Sequence, residues 1–131
     1  MRKRLQRWKA DAIVDFSKSI EIDPDNEYRF AWRGRTYNDL GDLTRAAADF
    51  AKVEELLKKG ESRPAYIVAS GFALSSLPSE ACRWLRLAFE RDKEFVNEVR
   101  SEPDFDLIRD TPEFKALMAE FGGEEKLSAD G

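Results

Sequence analysis

The chain contains no histidine. That removes the commonest general base and the commonest metal ligand. It has a single cysteine, Cys82, so no disulfide can form within it, a usage that fits a reducing compartment. No apolar run approaches the ~20 residues that span a bilayer. The basic N-terminus lacks the apolar segment of a secretory signal. The expectation is a cytoplasmic protein with no membrane partner. Also missing are a glycine-rich phosphate loop and a Ser-x-x-Lys pair. Asp104-x-Asp106-x-x-x-Asp110 has carboxylates at calcium-loop spacing, but it lacks the glycine and the bidentate glutamate that such a loop needs further on. Cys82 reads as a small buried filler rather than a reactive thiol. Glu54 and Glu55 need only solvent, and no two carboxylates pair for acid–base work. No enzyme, cofactor or metal site is therefore expected.

What is present suits a helical protein. The 131 residues are 42% apolar and 37% charged, with a net charge of −4. One domain is expected, and a chain of this size buries roughly two-thirds of its unfolded surface. The overall acidity makes the surface a poor lure for nucleic acid. Arg2, Lys3, Arg4, Arg7 and Lys9 are the exception. They read as a solvated helix start, with a salt-sensitive nucleic-acid contact as the minor alternative.

The stretch from Glu27 to Lys59 organises the rest. Its spine is Phe30-x2-Arg33-Gly34-x2-Tyr37, then Gly41, then Ala46-x3-Phe50. Small residues and aromatics at this spacing suit two short antiparallel helices at close range. Glycine inside a helix costs roughly 1 kcal/mol relative to alanine, so Gly34 implies a close approach, with Ala46 placed to meet it. Tyr37 and Phe50 would fill the wedge. Gly41-Asp42 breaks the pattern, and Asp42 can cap the second helix.

The unit recurs. Ala12, Phe16 and Lys18 precede Ala46, Phe50 and Lys52 by 34 residues. A further copy follows with one extra connecting residue: Ala69 stands for Gly34, Phe72 for Tyr37, Ala81 for Ala46 and Leu85 for Phe50. Helices are predicted at about 5–22, 27–40, 43–58, 63–75, 78–91 and 93–101, and a last one follows Thr111-Pro112. The first carries a stripe of Ala12, Ile13, Phe16 and Ile20. Phe114, Leu117, Met118 and Phe121 form the inner face of the last.

A period near 34 with this spine resembles the tetratricopeptide repeat family. Phe30 replaces the family's tryptophan, Arg33 its leucine, and Ser76 falls where its turn glycine would be. The resemblance implies an all-α fold, a right-handed superhelical stack of antiparallel helix pairs with capping helices at its C-terminal end. It divides the chain into a half repeat at 5–26, repeats at 27–61 and 62–95, and a closing segment at 96–121 like that of many bacterial arrays. This makes a single domain over 1–121, with 122–131 a disordered tail.

The same resemblance implies a concave groove lined by first helices. Carried onto this chain, its residues are Tyr28, Ala31, Trp32, Arg35, Asn38 and Asp39, then Arg63, Tyr66, Ile67, Ser70, Ala73 and Leu74. Tyr28, Trp32, Arg35, Asn38, Arg63, Tyr66 and Ser70 are the candidate peptide-binding set. Trp32 and Tyr66 would clasp apolar side chains, and Arg35 and Arg63 would take a carboxylate or phosphate. The lysine–asparagine set that grips C-terminal carboxylates in some relatives is not reproduced. The expected function is a protein-interaction scaffold holding a protein or peptide. The alternative is self-association through the helix at 5–22, whose stripe has no upstream partner.

Overall fold

Asn26 and Asp42 start two of the helices in the way their side chains suggest. The Asn26 side-chain oxygen accepts from the backbone N–H groups of Tyr28 and Arg29 at 3.0 and 3.3 Å. Asp42 accepts from that of Arg45 at 3.3 Å. These bonds satisfy donors that a helix leaves open at its first turn. The computed structural model describes the backbone of residues 2–58 and 61–130, and the side chains of 7–58 and 61–122. The described residues form helices and no strand. They divide into two compact units, Met1–Lys58 and Lys59–Gly131.

The first unit holds α1 (Arg2–Ile22), α2 (Glu27–Asp39) and α3 (Leu43–Leu56). Helix α2 packs between the other two. The α1 stripe of Ala12, Ile13, Phe16 and Ile20 is half-buried. The core lies chiefly between α2 and α3, where Phe30, Ala31, Ala46, Phe50 and Val53 are buried. Gly34 does mark the close approach, but its nearest neighbours are not Ala46. A Cβ added there would lie 2.7 and 2.8 Å from the Phe50 ring and 2.9 Å from Asp49 Cβ. The helices thus meet most closely one turn beyond Ala46.

The second unit holds α4 (Arg63–Leu74), α5 (Pro78–Arg91), α6 (Glu94–Ser101), a 3₁₀ helix (Pro103–Ile108) and α7 (Pro112–Asp130). The sequence did not signal the 3₁₀ helix. Pro103 lacks the N–H that an α-helix interior would need, and Glu102 accepts from the Asp104 N–H instead. Phe105 and Ile108 are fully buried, and this helix packs on α4. Thr111 caps α7 by accepting from the Phe114 N–H at 3.3 Å. Phe89 of α5 meets Phe121 of α7 edge-on, with centroids 5.4 Å apart. The α7 backbone continues as helix to Asp130.

The turns α2–α3 and α4–α5 are built alike. The Asp42 N–H donates to the Tyr37 carbonyl and the Gly41 N–H to that of Asn38, at 3.0 and 3.1 Å. One copy later, Leu77 donates to Phe72 and Ser76 to Ala73, both at 3.0 Å. This paired closure ends a helix on a residue of positive φ. Gly41 has φ +84° and Ser76 has φ +58°. The left-handed conformation costs an L-residue about 1–2 kcal/mol, and glycine's extra chain entropy offsets roughly 0.5–1 of that. Ser76→Gly should therefore stabilise the chain by up to about 1 kcal/mol. A urea midpoint that falls instead would show that Ser76 does not hold this conformation.

Candidate functional site

Trp32 sits on the outer side of α2 with 40% of its surface exposed. An indole exposed to that extent presents apolar surface to solvent. One turn along, the Arg35 guanidinium carbon lies 5.2 Å from the Trp32 ring centroid, within cation–π range. The Thr36 hydroxyl donates back to the Trp32 carbonyl at 2.8 Å. Asp39, on the same helix, is exposed by surface area, yet surrounding protein pushes its carboxyl pKa up while Lys9 and Arg35 pull it down. Tyr28 is half-buried at the start of the row, and Asn38 and Ala31 are buried. Of the residues assigned to this row, Trp32, Arg35, Asp39 and the edge of Tyr28 reach the surface.

The matching row on α4 is placed differently. Tyr66 is 6% exposed. Its ring stacks on Phe95 at 4.7 Å and tilts against Phe105 at 5.4 Å. Its hydroxyl is buried, and no hydrogen-bond partner for it lies among the described residues. Burial pushes the phenol pKa up, with Glu98, Glu102 and Asp104 adding to the rise and Arg63 opposing it. Ser70 is buried and its hydroxyl donates to the Ile67 carbonyl at 2.8 Å. Ile67 and Ala73 are buried as well, and Leu74 is exposed. Arg63 is exposed but engaged. Its guanidinium donates to both carboxylate oxygens of Glu98 at 2.6 and 3.2 Å and lies 4.5 Å from the Phe95 ring centroid. The side chains of α6 and the 3₁₀ helix cover Tyr66, so this row is largely core within its unit.

The sequence did not foresee the polar feature that organises α2. Arg33 donates through Nε and Nη2 to the two carboxylate oxygens of Asp49 on α3, at 2.8 and 2.7 Å. Its Nη1 donates to the Ser17 hydroxyl of α1 at 3.2 Å. Phe30 and Tyr37 flank the guanidinium with centroids 5.6 and 5.8 Å away. The bond to Asp49 raises the Arg33 pKa above its usual range, against the opposing effect of burial. In the sequence Arg33 stands in the repeat spine where the family has leucine, and the mark of its partner is the Asp49-Phe50 pair, which repeats Asp15-Phe16.

No cluster of three or more potential metal ligands occurs among the described residues. Asp106, in the calcium-like spacing, pairs with Arg109 at 2.8 Å. Burial pushes the Cys82 thiol up to about 11, away from the thiolate form that a nucleophile needs. None of the described helices is long and apolar enough to cross a membrane. The side chains of Arg2, Lys3 and Arg4, candidates for a polyanion contact, lie outside the described residues. No protein-family model, curated protein or solved structure matches the chain.

Proposed function

We propose that this chain is a non-catalytic interaction module of the tetratricopeptide-repeat type, holding a peptide or protein segment along the outer row of α2. The observation that carries this reading is the exposed Trp32 with Arg35 poised over its ring. An indole supplies a large apolar contact at small entropy cost, and tryptophan and arginine are the commonest anchors of protein interfaces. An exposed indole beside a positive charge makes acidic residues next to an aromatic or long apolar one the expected ligand. The doubled hairpin turn supports the repeat reading.

The test is selection of peptides from a displayed random library on the intact chain. Selected peptides should be enriched in acidic–aromatic pairs. The double variant Trp32→Ala, Arg35→Ala should bind them at least about tenfold more weakly, as for loss of an interface anchor. Binding undiminished by the double variant would place the ligand elsewhere.

A further inference from the structure

The internal repeat assigns a second, separate surface. On α3, the stripe Ala46, Asp49, Val53, Leu56, with Asp42 just before the helix, carries the Asp49 that binds Arg33 of α2. Ala46, Asp49 and Val53 on it are 2, 4 and 0% exposed. Thirty-four residues earlier, the same spacing on α1 gives Trp8, Ala12, Asp15, Ser19, Ile22. Successive gaps of four, three, four and three residues keep each stripe on one helix face. Asp49 of the α3 stripe is engaged by α2, whereas on the α1 stripe Ala12 and Ser19 are half-buried and the two ends and the middle are exposed. Trp8 and Ile22 are 69 and 83% exposed, and Asp15 between them is exposed too. Helix α1 meets α2 through Ser17, whose hydroxyl accepts from Arg33, and at the border of the stripe through the Ser19 backbone carbonyl, which accepts from Arg29 at 2.7 Å. Ser17 follows Asp15 by two residues, about 200° around the helix.

We infer that the stripe Trp8–Asp15–Ile22 is a docking surface for an arginine-bearing helix, seated on α1 as α2 is seated on α3. The occupied copy shows what such a helix must carry. Asp49 receives the forked arginine, and a residue without a side chain follows that arginine, where the backbones come closest. The occupant therefore presents an arginine to Asp15 followed by glycine or alanine, with apolar residues reaching Trp8 and Ile22. Charge selects against a second copy of α1 as that occupant. Antiparallel pairing of two such stripes would set Asp15 against its own counterpart, and like charges brought together in an interface are costly. Asp15 has no ion pair or hydrogen bond to a described residue, so its carboxylate is available.

The probe is a labelled synthetic peptide with the sequence of residues 26–41, titrated into the intact chain and followed by fluorescence anisotropy. Saturable binding is expected. Asp15→Lys in the protein should weaken it about tenfold or more, as should Arg33→Ala in the peptide. The protein Asp15→Lys with the peptide Arg33→Glu should recover most of the loss. Asp15 is exposed, so the variant should keep its helicity, which circular dichroism checks. Absence of binding, or binding indifferent to Asp15→Lys, overturns the inference. So does a chain that doubles its light-scattering mass at micromolar concentration and returns to one-chain mass on Trp8→Asp, because a second copy would then be the occupant. The Asp15→Lys arms leave the protein's own Trp32 and Arg35 unchanged.

Discussion

Arg33→Ala should destabilise the chain by about 3 kcal/mol, near the lower end for breaking a buried ion pair. The physical reason is the partner left behind. The Asp49 side chain is 5% exposed and loses both donors of its forked bond at once. The Arg33 side chain keeps 20% of its surface in water, so less desolvation was invested in it, which holds the loss toward that lower end. Alanine also removes the contact to Ser17 on α1 and the packing against Phe30 and Tyr37. Replacing both partners with leucine is expected to be far milder, because well-packed apolar pairs of similar volume often equal or exceed a buried ion pair. The second repeat has made that exchange. Thirty-five residues on, Val68 and Trp84 occupy the corresponding positions, 0 and 3% exposed. Urea unfolding followed by circular dichroism distinguishes the cases. If Arg33→Ala and the double leucine variant lose stability equally, the stranded carboxylate is not the cause.

Phe50→Ala should cost ~3–5 kcal/mol, the usual range for removing a buried aromatic ring. Phe50 is 6% exposed and lies against Gly34. The reciprocal change probes the same contact from α2. Helix propensity alone would make Gly34→Ala favourable by roughly 1 kcal/mol. Here the added methyl would fall 2.7 Å from the ring and 2.9 Å from Asp49 Cβ. The ring can swing aside, but Asp49 Cβ moves only with the α3 backbone. Overpacking of this kind costs ~1–3 kcal/mol, so Gly34→Ala should be destabilising. The two changes should not add. With the ring gone, part of the clash at Gly34 goes too, and the double variant should lose less than the sum of the singles. A stabilised Gly34→Ala would mean that α2 and α3 do not approach as closely as described.

Local chemistry made the helices readable. Asn26, Asp42 and Thr111 cap through their own side chains within a few residues, and Gly41 supplies the left-handed turn. Such interactions span one turn of chain and leave their mark in adjacent letters. Tyr66 shows where that legibility ends. Its position in the repeat suggested a groove, yet Phe95 and Phe105 cover it. Those rings arrive from α6 and a 3₁₀ helix about 30 and 40 residues further on. Nothing near Tyr66 in the sequence announces them. Trp32 corresponds to Ile67 in the second copy, and Ile67 is 7% exposed while Trp32 is 40% exposed.

By itself, then, the amino-acid order determined that this chain is helical, where most of its α-helices begin, and that one hairpin turn is built twice. Periodicity, caps and turn residues act over a few positions, so they are written where they act. Only tertiary packing decided that Arg33 finds Asp49 sixteen residues away, that Gly34 meets Phe50 rather than Ala46, and that Tyr66 becomes core while Trp32 meets water. Those outcomes depend on which surfaces come together in space. The same side chain is an anchor or a filler according to what lies over it.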